Sequence, residues 1–110
     1  MNPESTLVLM VTTVGSREDA LTLARAVVQE GLCAWAQLEP IESVYRWQGR
    51  MQQEPEIRLL LKTTAAGVPA LQNRVLALHP YDLPALYTLH AAEASQAFVD
   101  WVRDNSPGPR

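Results

Sequence analysis

The sequence predicts an α+β fold in which strand, helix, strand, strand, helix and strand follow one another and a C-terminal helix is added. Three observations predict it: short runs of branched and apolar residues, apolar stripes at helical spacing between them, and glycine or proline at the junctions. The order βαββαβ is that of the ferredoxin-like split βαβ sandwich. Because this plan hosts many unrelated functions, it predicts no activity by itself.

The first predicted unit is a strand followed by a helix. Residues 6–13 are rich in branched and apolar side chains and are typical of a central strand that is buried on both faces. Ser16 and Asp19 form a predicted N-terminal cap, since the serine oxygen can accept a hydrogen bond from a free helix amide. Gly31 ends the helix, because glycine readily adopts the left-handed conformation found there. The predicted apolar stripe consists of Leu21, Ala24, Val28 and Leu32.

A long hairpin is predicted in the middle of the chain. Gln48 and Gly49 supply its turn signal. Pro40 lacks an N–H group and is expected either to break the ladder of the first strand or to place it at a bend, and Pro55 is expected to mark an irregularity or bulge in the second. The predicted strand segments are residues 33–38 and 43–47 before the turn and residues 57–63 after it.

The last part of the chain predicts a helix, a strand and a final helix. Pro69 is tolerable in the first turn of a helix that begins after Gly67. Residues 79–84, His-Pro-Tyr-Asp-Leu-Pro, cannot continue that helix, because helical geometry is disfavoured just before each proline. Residues 85–91 then form a strand, and Ser95 caps the last helix. The predicted apolar faces are Leu71, Val75 and Leu78 on the earlier helix and Ala97, Phe98, Trp101 and Val102 on the last one.

The composition predicts one globular domain, residues 1–110, with a mobile tail at about residues 105–110. Hydrophobic residues make up 47% and charged residues 19%, a balance that supports a packed core. The net charge of −3 and the sequence pI of 5.3 give no general attraction to phosphate backbones or anionic lipids. Neither nucleic acid nor a membrane is therefore expected as a partner.

The cysteine content and the N-terminus predict a cytoplasmic location. Cys33 is the only cysteine, so neither an intramolecular disulfide nor a Cys-x-x-Cys pair can form. Residues 1–5 carry no basic residue ahead of the first apolar run, unlike the start of a signal peptide. No stretch approaches the roughly 20 apolar residues that a membrane span needs.

Candidate metal ligands are few and scattered. Cys33, His79 and His90 lie on three different predicted elements and form no standard ligand motif. Cys33 is interpreted as a small buried side chain, with a ligand role as the alternative. His79 follows a helix, where an imidazolium favours the negative C-terminal end, and a ligand or pocket role is again the alternative. His90 is interpreted as a surface or pocket residue.

Three further side chains point to a core, an interface or a polar pocket. Tyr45 and Trp47 lie two residues apart on one face of a predicted strand, so they belong either to the core or to an association surface near the hairpin tip. Lys62 interrupts an apolar strand. Its ammonium is expected to pair with Glu54 or Glu56 across the hairpin, or else to line a polar pocket.

No catalytic residue is predicted. The sequence contains no nucleophile elbow or comparable motif, so the protein is predicted not to be an enzyme. One loop keeps an alternative open. Val-Gly-Ser-Arg, residues 14–17, precedes a helix whose free amides could hold an anion, as in an acylphosphatase-like hydrolase, or Ser16 simply caps that helix.

Three segments, in their order and spacing, resemble the CutA divalent-cation tolerance family over nearly the whole chain. They are Ser-Val-Tyr-Arg-Trp-Gln-Gly (43–49), Leu-Lys-Thr (61–63) and Leu-His-Pro-Tyr-Asp-Leu-Pro (78–84). The ending Phe-Val-Asp-Trp-Val (98–102) and the junction Glu-Gly-Leu-Cys-Ala (30–34) are also similar to the family. The resemblance implies a homotrimer whose sheets join at their edges and a link to metal tolerance, chiefly to copper. It also implies similarity to trimeric PII-type signalling proteins, which bind small ligands in clefts between subunits.

Some positions depart from the family pattern and bear on metal binding. Trp35 stands where the family usually has cysteine, and Cys33 lies two residues earlier on the same strand face. Met10 or Val11 stands where some members carry another cysteine, and Ala85 stands where the family commonly has glutamate. Because these replacements remove a thiolate and a carboxylate, no cofactor is certain, and copper or another divalent cation is expected to bind only weakly.

The sequence thus supports a small trimeric non-enzymatic protein associated with divalent-cation tolerance and the response to metal ions. A small polar ligand or a metal ion is its expected occupant, and a PII-like sensor of a small anion is the alternative, ahead of the hydrolase. The expected ligand cleft or interface consists of Tyr45, Trp47, Glu56, Lys62, His79 and Tyr81, and the metal candidates are His79 and Cys33.

Overall fold

A computed structural model describes residues 6–108, and the elements within this range follow the predicted order. Their sequence is βαββαβα, which confirms the α+β fold and the split βαβ arrangement. The elements are β1 (Leu7–Val14), α1 (Arg17–Gln29), β2 (Trp35–Trp47), β3 (Arg50–Thr64), a 3₁₀ turn (Ala65–Gly67), α2 (Val68–Leu78), β4 (Leu86–His90) and α3 (Gln96–Asp104).

The strands form one antiparallel sheet in the order β2-β3-β1-β4. β1 lies between β3 and β4, which confirms it as a central strand. Successive side chains of a strand point to opposite faces, so the sheet has two distinct surfaces. Helices α1 and α2 pack on one of them, called the helix face here, where Met10, Leu59 and Leu61 are fully buried.

Helix α1 has the predicted caps but a different apolar stripe. The Asp19 N–H donates to Ser16 Oγ at 3.1 Å, and Gly31 has a φ of 76° just beyond the helix. The predicted stripe is partly wrong: Ala24 and Leu32 are buried, but Val28 is 40% exposed. Apolar residues occupy two adjacent sides of this helix, and spacing alone does not show which side meets the sheet. The buried side chains are Ala20, Leu23, Ala24 and Val27.

The predicted break at Pro40 and bulge at Pro55 are both wrong. The register of β2 with β3 runs without a step from Trp35 opposite Lys62 to the hairpin turn. β2 is an edge strand, so a proline there can direct its nitrogen away from the ladder. β3 is likewise unpaired on one side at Pro55, because its pairing with β1 begins only at Ile57.

The opposite surface of the sheet, called the open face here, is covered at one end only. Helix α3 packs over that end, where Val99 and Val102 contact Leu7 in a second, small core. Elsewhere on this face Tyr87 and Leu89 are 52% and 53% exposed. The open face therefore leaves large apolar side chains accessible in the single chain.

Helix α3 begins as the sequence predicts. The Phe98 N–H donates to Ser95 Oγ at 3.3 Å, which confirms the serine cap. The predicted apolar face is partly wrong: Val102 is buried, but Ala97 and Trp101 are exposed, because Val99 makes the contact with the sheet instead. None of the helices in residues 6–108 is long and apolar enough to cross a membrane.

The end of the described chain returns to α1. The Ser106 hydroxyl is buried and donates to the Val102 carbonyl, and the Gly108 N–H donates to the Gly31 carbonyl at 3.0 Å. Residues 109–110 lie outside the described range, as do residues 1–5. Mobility of the tail stays a prediction.

Candidate functional site

The β2–β3 hairpin extends beyond the rest of the sheet. β3 pairs with β1 only from Ile57, which lies opposite Val14, but it pairs with β2 as far as Arg50. Residues 41–56, called the arm here, therefore continue past the end of β1. Gln48 and Gly49 have φ values of 51° and 78°, which confirms the predicted two-residue turn.

A groove of about 1110 Å³ opens on the open face between the arm and the loop that leads from α2 to β4. Its aromatic lining includes Tyr45, Trp47, Tyr81 and Tyr87. Its charged lining comprises Glu42, Glu54, Glu56 and Asp82 against the single cation Arg58. Four of the six residues predicted to form the cleft, Tyr45, Trp47, Glu56 and Tyr81, thus meet in one groove.

Two tyrosine–glutamate hydrogen bonds hold the acidic wall. The Tyr81 hydroxyl donates to Glu56 Oε2 at 3.0 Å, and the Tyr45 hydroxyl donates to Glu54. Burial and the bond to Glu56 raise the pKa of Tyr81 to about 12, and the bond to Glu54 raises the pKa of Tyr45. Both phenols therefore stay protonated near neutral pH, and each leaves carboxylate lone pairs free toward the groove.

His79 lies beside the groove but does not line it. Its Nε2 is 2.9 Å from the Thr13 carbonyl oxygen and 3.0 Å from Thr12 Oγ1, and its Nδ1 accepts the Tyr81 N–H at 3.1 Å. Burial lowers the pKa of this imidazole. The predicted C-terminal position is correct, since His79 is the C-cap of α2, but the neutral ring binds β1 and the loop rather than helix carbonyls. Both ring nitrogens are already hydrogen-bonded within the subunit.

Cys33, the other metal candidate, lies in the main core. Its side chain is fully buried, and it precedes β2 instead of starting it. Burial raises the pKa of the thiol to about 12, so it carries no thiolate near neutral pH. Among residues 6–108, no group of three or more His, Cys, Asp and Glu side chains is arranged to hold a metal ion.

Lys62 lies at the far end of the open face, beneath α3. Its Nζ is 4.3 Å from the ring centre of Trp35 and 5.6 Å from that of Phe98. The predicted pairing with Glu54 or Glu56 is absent from the ion pairs of residues 6–108. All three residues are on β3, and six residues of strand place Lys62 about 20 Å from Glu56. A cation–π contact replaces the expected ion pair within the subunit.

Sequence reasoning did not single out Arg58, Asp82 or Thr12 as parts of the site. Arg58 Nε lies 3.3 Å from Glu39 Oε1, so the cation of the groove is already paired. The Gln48–Gly49 turn carries a usable signal: in its register, alternate residues of the two strands share a face and bring Glu39, Glu54, Glu56 and Arg58 together. Asp82 and Thr12 carry no such signal, because the loop and β1 meet only in the tertiary structure.

The family model of the CutA1 divalent ion tolerance protein matches residues 8–105. The chain belongs to this family. The sequence resemblance is therefore confirmed.

Relatives of known sequence support this membership. The divalent-cation tolerance protein CutA of Thermus thermophilus is 42% identical over 99 residues, which are 89% of this chain and 96% of the relative. The chloroplastic protein CutA of Arabidopsis thaliana and the human protein CutA are each 34% identical. The chain spans only 55% and 51% of the lengths of these two proteins.

Solved structures show the same fold. The Cut A1 protein of Thermus thermophilus has a TM-score of 0.86 at 42% identity and covers 91% of this chain and 98% of its own. CutA of Synechococcus elongatus has a TM-score of 0.88 at 40% identity and covers 92% and 90%. A protein described as periplasmic, CutA of Archaeoglobus fulgidus, has a TM-score of 0.88 at 23% identity, which is a likeness of fold.

Proposed function

We propose that this protein is a non-enzymatic homotrimer that contributes to divalent-cation tolerance and holds a small cationic ligand in the groove beside the arm. The observation that carries the proposal is the groove itself: an aromatic and acidic surface on a sheet face that α3 covers at one end only. Family membership supplies the link to cation tolerance.

The trimer is supported by the surface that one subunit leaves uncovered. β2 is a 13-residue edge strand whose outer side is unpaired in the subunit. Trp47 is 47% exposed, and Tyr87 and Leu89 are more exposed still. Long unpaired edges and contiguous apolar patches favour association. Three equivalent contacts close a ring and leave no free end for further growth.

The charge of the groove favours a cation over an anion. Four carboxylates line it, whereas its one guanidinium is paired to Glu39. This balance disfavours the alternative of a PII-like sensor of a small anion, because an anion would meet mostly like charges. An organic or metal cation would instead meet oxygen donors and aromatic faces.

A hard divalent cation suits these donors better than copper does. Carboxylate oxygens suit hard cations, whereas copper favours imidazole and thiolate. His79 uses both nitrogens within the fold, and Cys33 is a buried thiol. We therefore propose that the link to copper tolerance is indirect, and that a direct cation site needs carboxylates from more than one subunit.

The non-enzymatic assignment is supported by Ser16. Its hydroxyl oxygen accepts the Asp19 N–H and so caps α1, which is the alternative to an anion-binding catalytic loop. We propose a cytoplasmic location because the single cysteine is buried and free. Cell fractionation tests this location. An acyl-phosphate hydrolysis assay tests the absence of catalysis, and turnover that Ser16→Ala abolishes would contradict it.

The cation proposal is tested by thermal unfolding of the wild-type protein, after sedimentation equilibrium has established its mass. A ligand that binds only the native state raises the melting temperature. We expect Mn²⁺, which prefers oxygen donors, to raise it, and inorganic phosphate to leave it unchanged. Glu56→Gln should shrink the Mn²⁺ shift, whereas Glu18→Gln, which removes the same charge from exposed α1, should not. A shift with phosphate alone would favour the anion sensor, and no shift with either probe would contradict a cation groove.

A further inference from the structure

The loop of residues 79–85 forms one wall of the groove although it has no regular secondary structure. Pro80 and Pro84 remove two of its backbone donors. A wall of this kind needs side-chain contacts to hold one position. Both of its ends are bound to the same residue of the central strand, Thr12.

Thr12 is fully buried, and its hydroxyl is used twice. Thr12 Oγ1 donates to the Ala85 carbonyl at 2.7 Å, at the end of the loop. With its only hydrogen committed there, the oxygen can only accept from His79 Nε2, which lies 3.0 Å away at the start of the loop. One hydroxyl thus binds both the first and the last residue of the loop, His79 and Ala85.

The partners of His79 fix its tautomer. A carbonyl oxygen only accepts and an amide N–H only donates, so the Thr13 carbonyl requires a hydrogen on Nε2 and the Tyr81 N–H requires a bare Nδ1. The neutral Nε2–H form satisfies all three contacts at once. Its ring therefore binds both β1 and the backbone of Tyr81.

This arrangement directs Tyr81 into the groove. The Tyr81 and His79 rings meet edge to face with centroids 5.1 Å apart, and the Tyr81 hydroxyl then reaches Glu56. Gly15 leaves room for that reach, since a Cβ at this position would lie 3.2 Å from the Tyr81 hydroxyl oxygen. The path from Thr12 to Glu56 thus consists of direct contacts.

We propose that Thr12 and His79 are positioning residues, a two-point clamp that fixes the loop of residues 79–85 and sets Tyr81 against Glu56 in the groove. The clamp on the loop does not depend on the occupant of the groove. Its effect on cation binding rests on the proposed function.

A matched pair of substitutions tests the clamp. Thr12→Val removes the hydroxyl and keeps the shape. Thr63→Val is its control, because Thr63 is equally buried and its hydroxyl also donates to a carbonyl, that of Leu32 at 3.3 Å, away from the loop. Hydrogen exchange of backbone amides reports local opening separately from global unfolding.

We expect Thr12→Val to speed exchange of the Tyr81 amide, which donates to His79 Nδ1, by about tenfold relative to the α1 amides, the size of one lost buried hydrogen bond. Thr63→Val should leave that ratio unchanged, and Thr12→Ser should restore it. The ¹⁵N shifts of His79 should show the Nε2–H tautomer in the wild type and also in Thr12→Val, because the Thr13 carbonyl and the Tyr81 N–H still fix it. An unchanged ratio in folded Thr12→Val would overturn the clamp.

His79→Phe provides a second variant that removes the clamp from the other side and keeps the ring. It should speed exchange of the Tyr81 amide, and failure to do so would also overturn the proposal. Mn²⁺-induced stabilisation separates the two claims. Faster loop exchange together with an unchanged Mn²⁺ response supports the clamp and contradicts its link to the groove, whereas no Mn²⁺ response in the wild type contradicts the proposed function alone.

Discussion

The two ends of the open face place charged side chains among aromatic rings in different ways. At the end under α3, Lys62 lies over Trp35, which meets Phe98 and Trp101 edge to face at 5.9 and 6.0 Å. At the arm, Glu54 and Glu56 lie beside tyrosine hydroxyls, and no helix of residues 6–108 covers them. Charged groups sit among aromatic rings at both ends, but only one end has a covering layer in the same chain.

One end of the open face is therefore packed within the single chain, whereas the other end is left exposed. The covered end buries Val99 and Val102 and adds to the stability of the single chain. The arm leaves large aromatic side chains exposed, and such exposure contributes nothing until something packs on it. We therefore expect substitutions at the covered end to change folding and substitutions at the arm to change assembly.

The largest effect is expected for Val102→Asp, which puts a charge where the wild-type side chain is fully buried. An uncompensated buried charge should lower the free energy of unfolding by about 3–5 kcal/mol. Urea unfolding at equal protein concentration measures it. The control is Met51→Asp at the arm tip, where the side chain is 74% exposed and about 0.5 kcal/mol or less is expected. Similar losses in both variants would remove the distinction between the two ends.

The next effect is on assembly. Trp47→Glu should weaken the trimer by about 2–3 kcal/mol for each subunit contact, the value of one buried aromatic side chain, and more where the new charge is unpaired. Leu76→Glu is the control variant, because the two side chains are equally exposed: Leu76 on α2 is 46% exposed and Trp47 is 47% exposed. Sedimentation equilibrium at micromolar concentration measures the mass. A wild-type mass of one subunit would refute the trimer, and an intact Trp47→Glu trimer would refute this interface.

The smallest effect is expected for Lys62→Met, which removes the cation from the Trp35 face and keeps the apolar stem. The loss should be about 0.5–1 kcal/mol, the value of a partly exposed cation–π contact. Lys62→Arg keeps the charge and should retain most of the stability in the same urea experiment. Equal losses in both variants would attribute the effect to packing alone. Mn²⁺ stabilisation should be unchanged in Lys62→Met, because Lys62 lies outside the groove, and a smaller Mn²⁺ shift would contradict this placement.

Most of the fold was predictable because its signals are local. Ser16 and Ser95 cap their helices, and Gln48–Gly49 makes the turn, since each depends only on residues a few positions away. Pro40 and Pro55 misled the prediction because a proline breaks a ladder only where its nitrogen faces a partner strand. Strand order decides that, and strand order is not local.

The candidate site was predictable in part for the same reason. Tyr45, Trp47 and Glu56 share one hairpin, so the turn and the period of two place them together. For Lys62 the same register places Trp35 directly opposite, so that contact follows from the hairpin, whereas the neighbouring Phe98 depends on how α3 packs across the sheet.

The sequence by itself determined the family, the order of the elements, their caps and turns, and the aromatic and acidic character of the arm. Only the tertiary structure decided which side of α1 is buried, that Phe98 of α3 lies near Lys62, and that Thr12 holds both ends of the loop at His79 and Ala85. The reason is the sequence separation between the residues that interact. Caps, turns and alternation act over two to four residues, whereas Thr12 and His79 are 67 residues apart and meet only when β1 takes its place in the sheet.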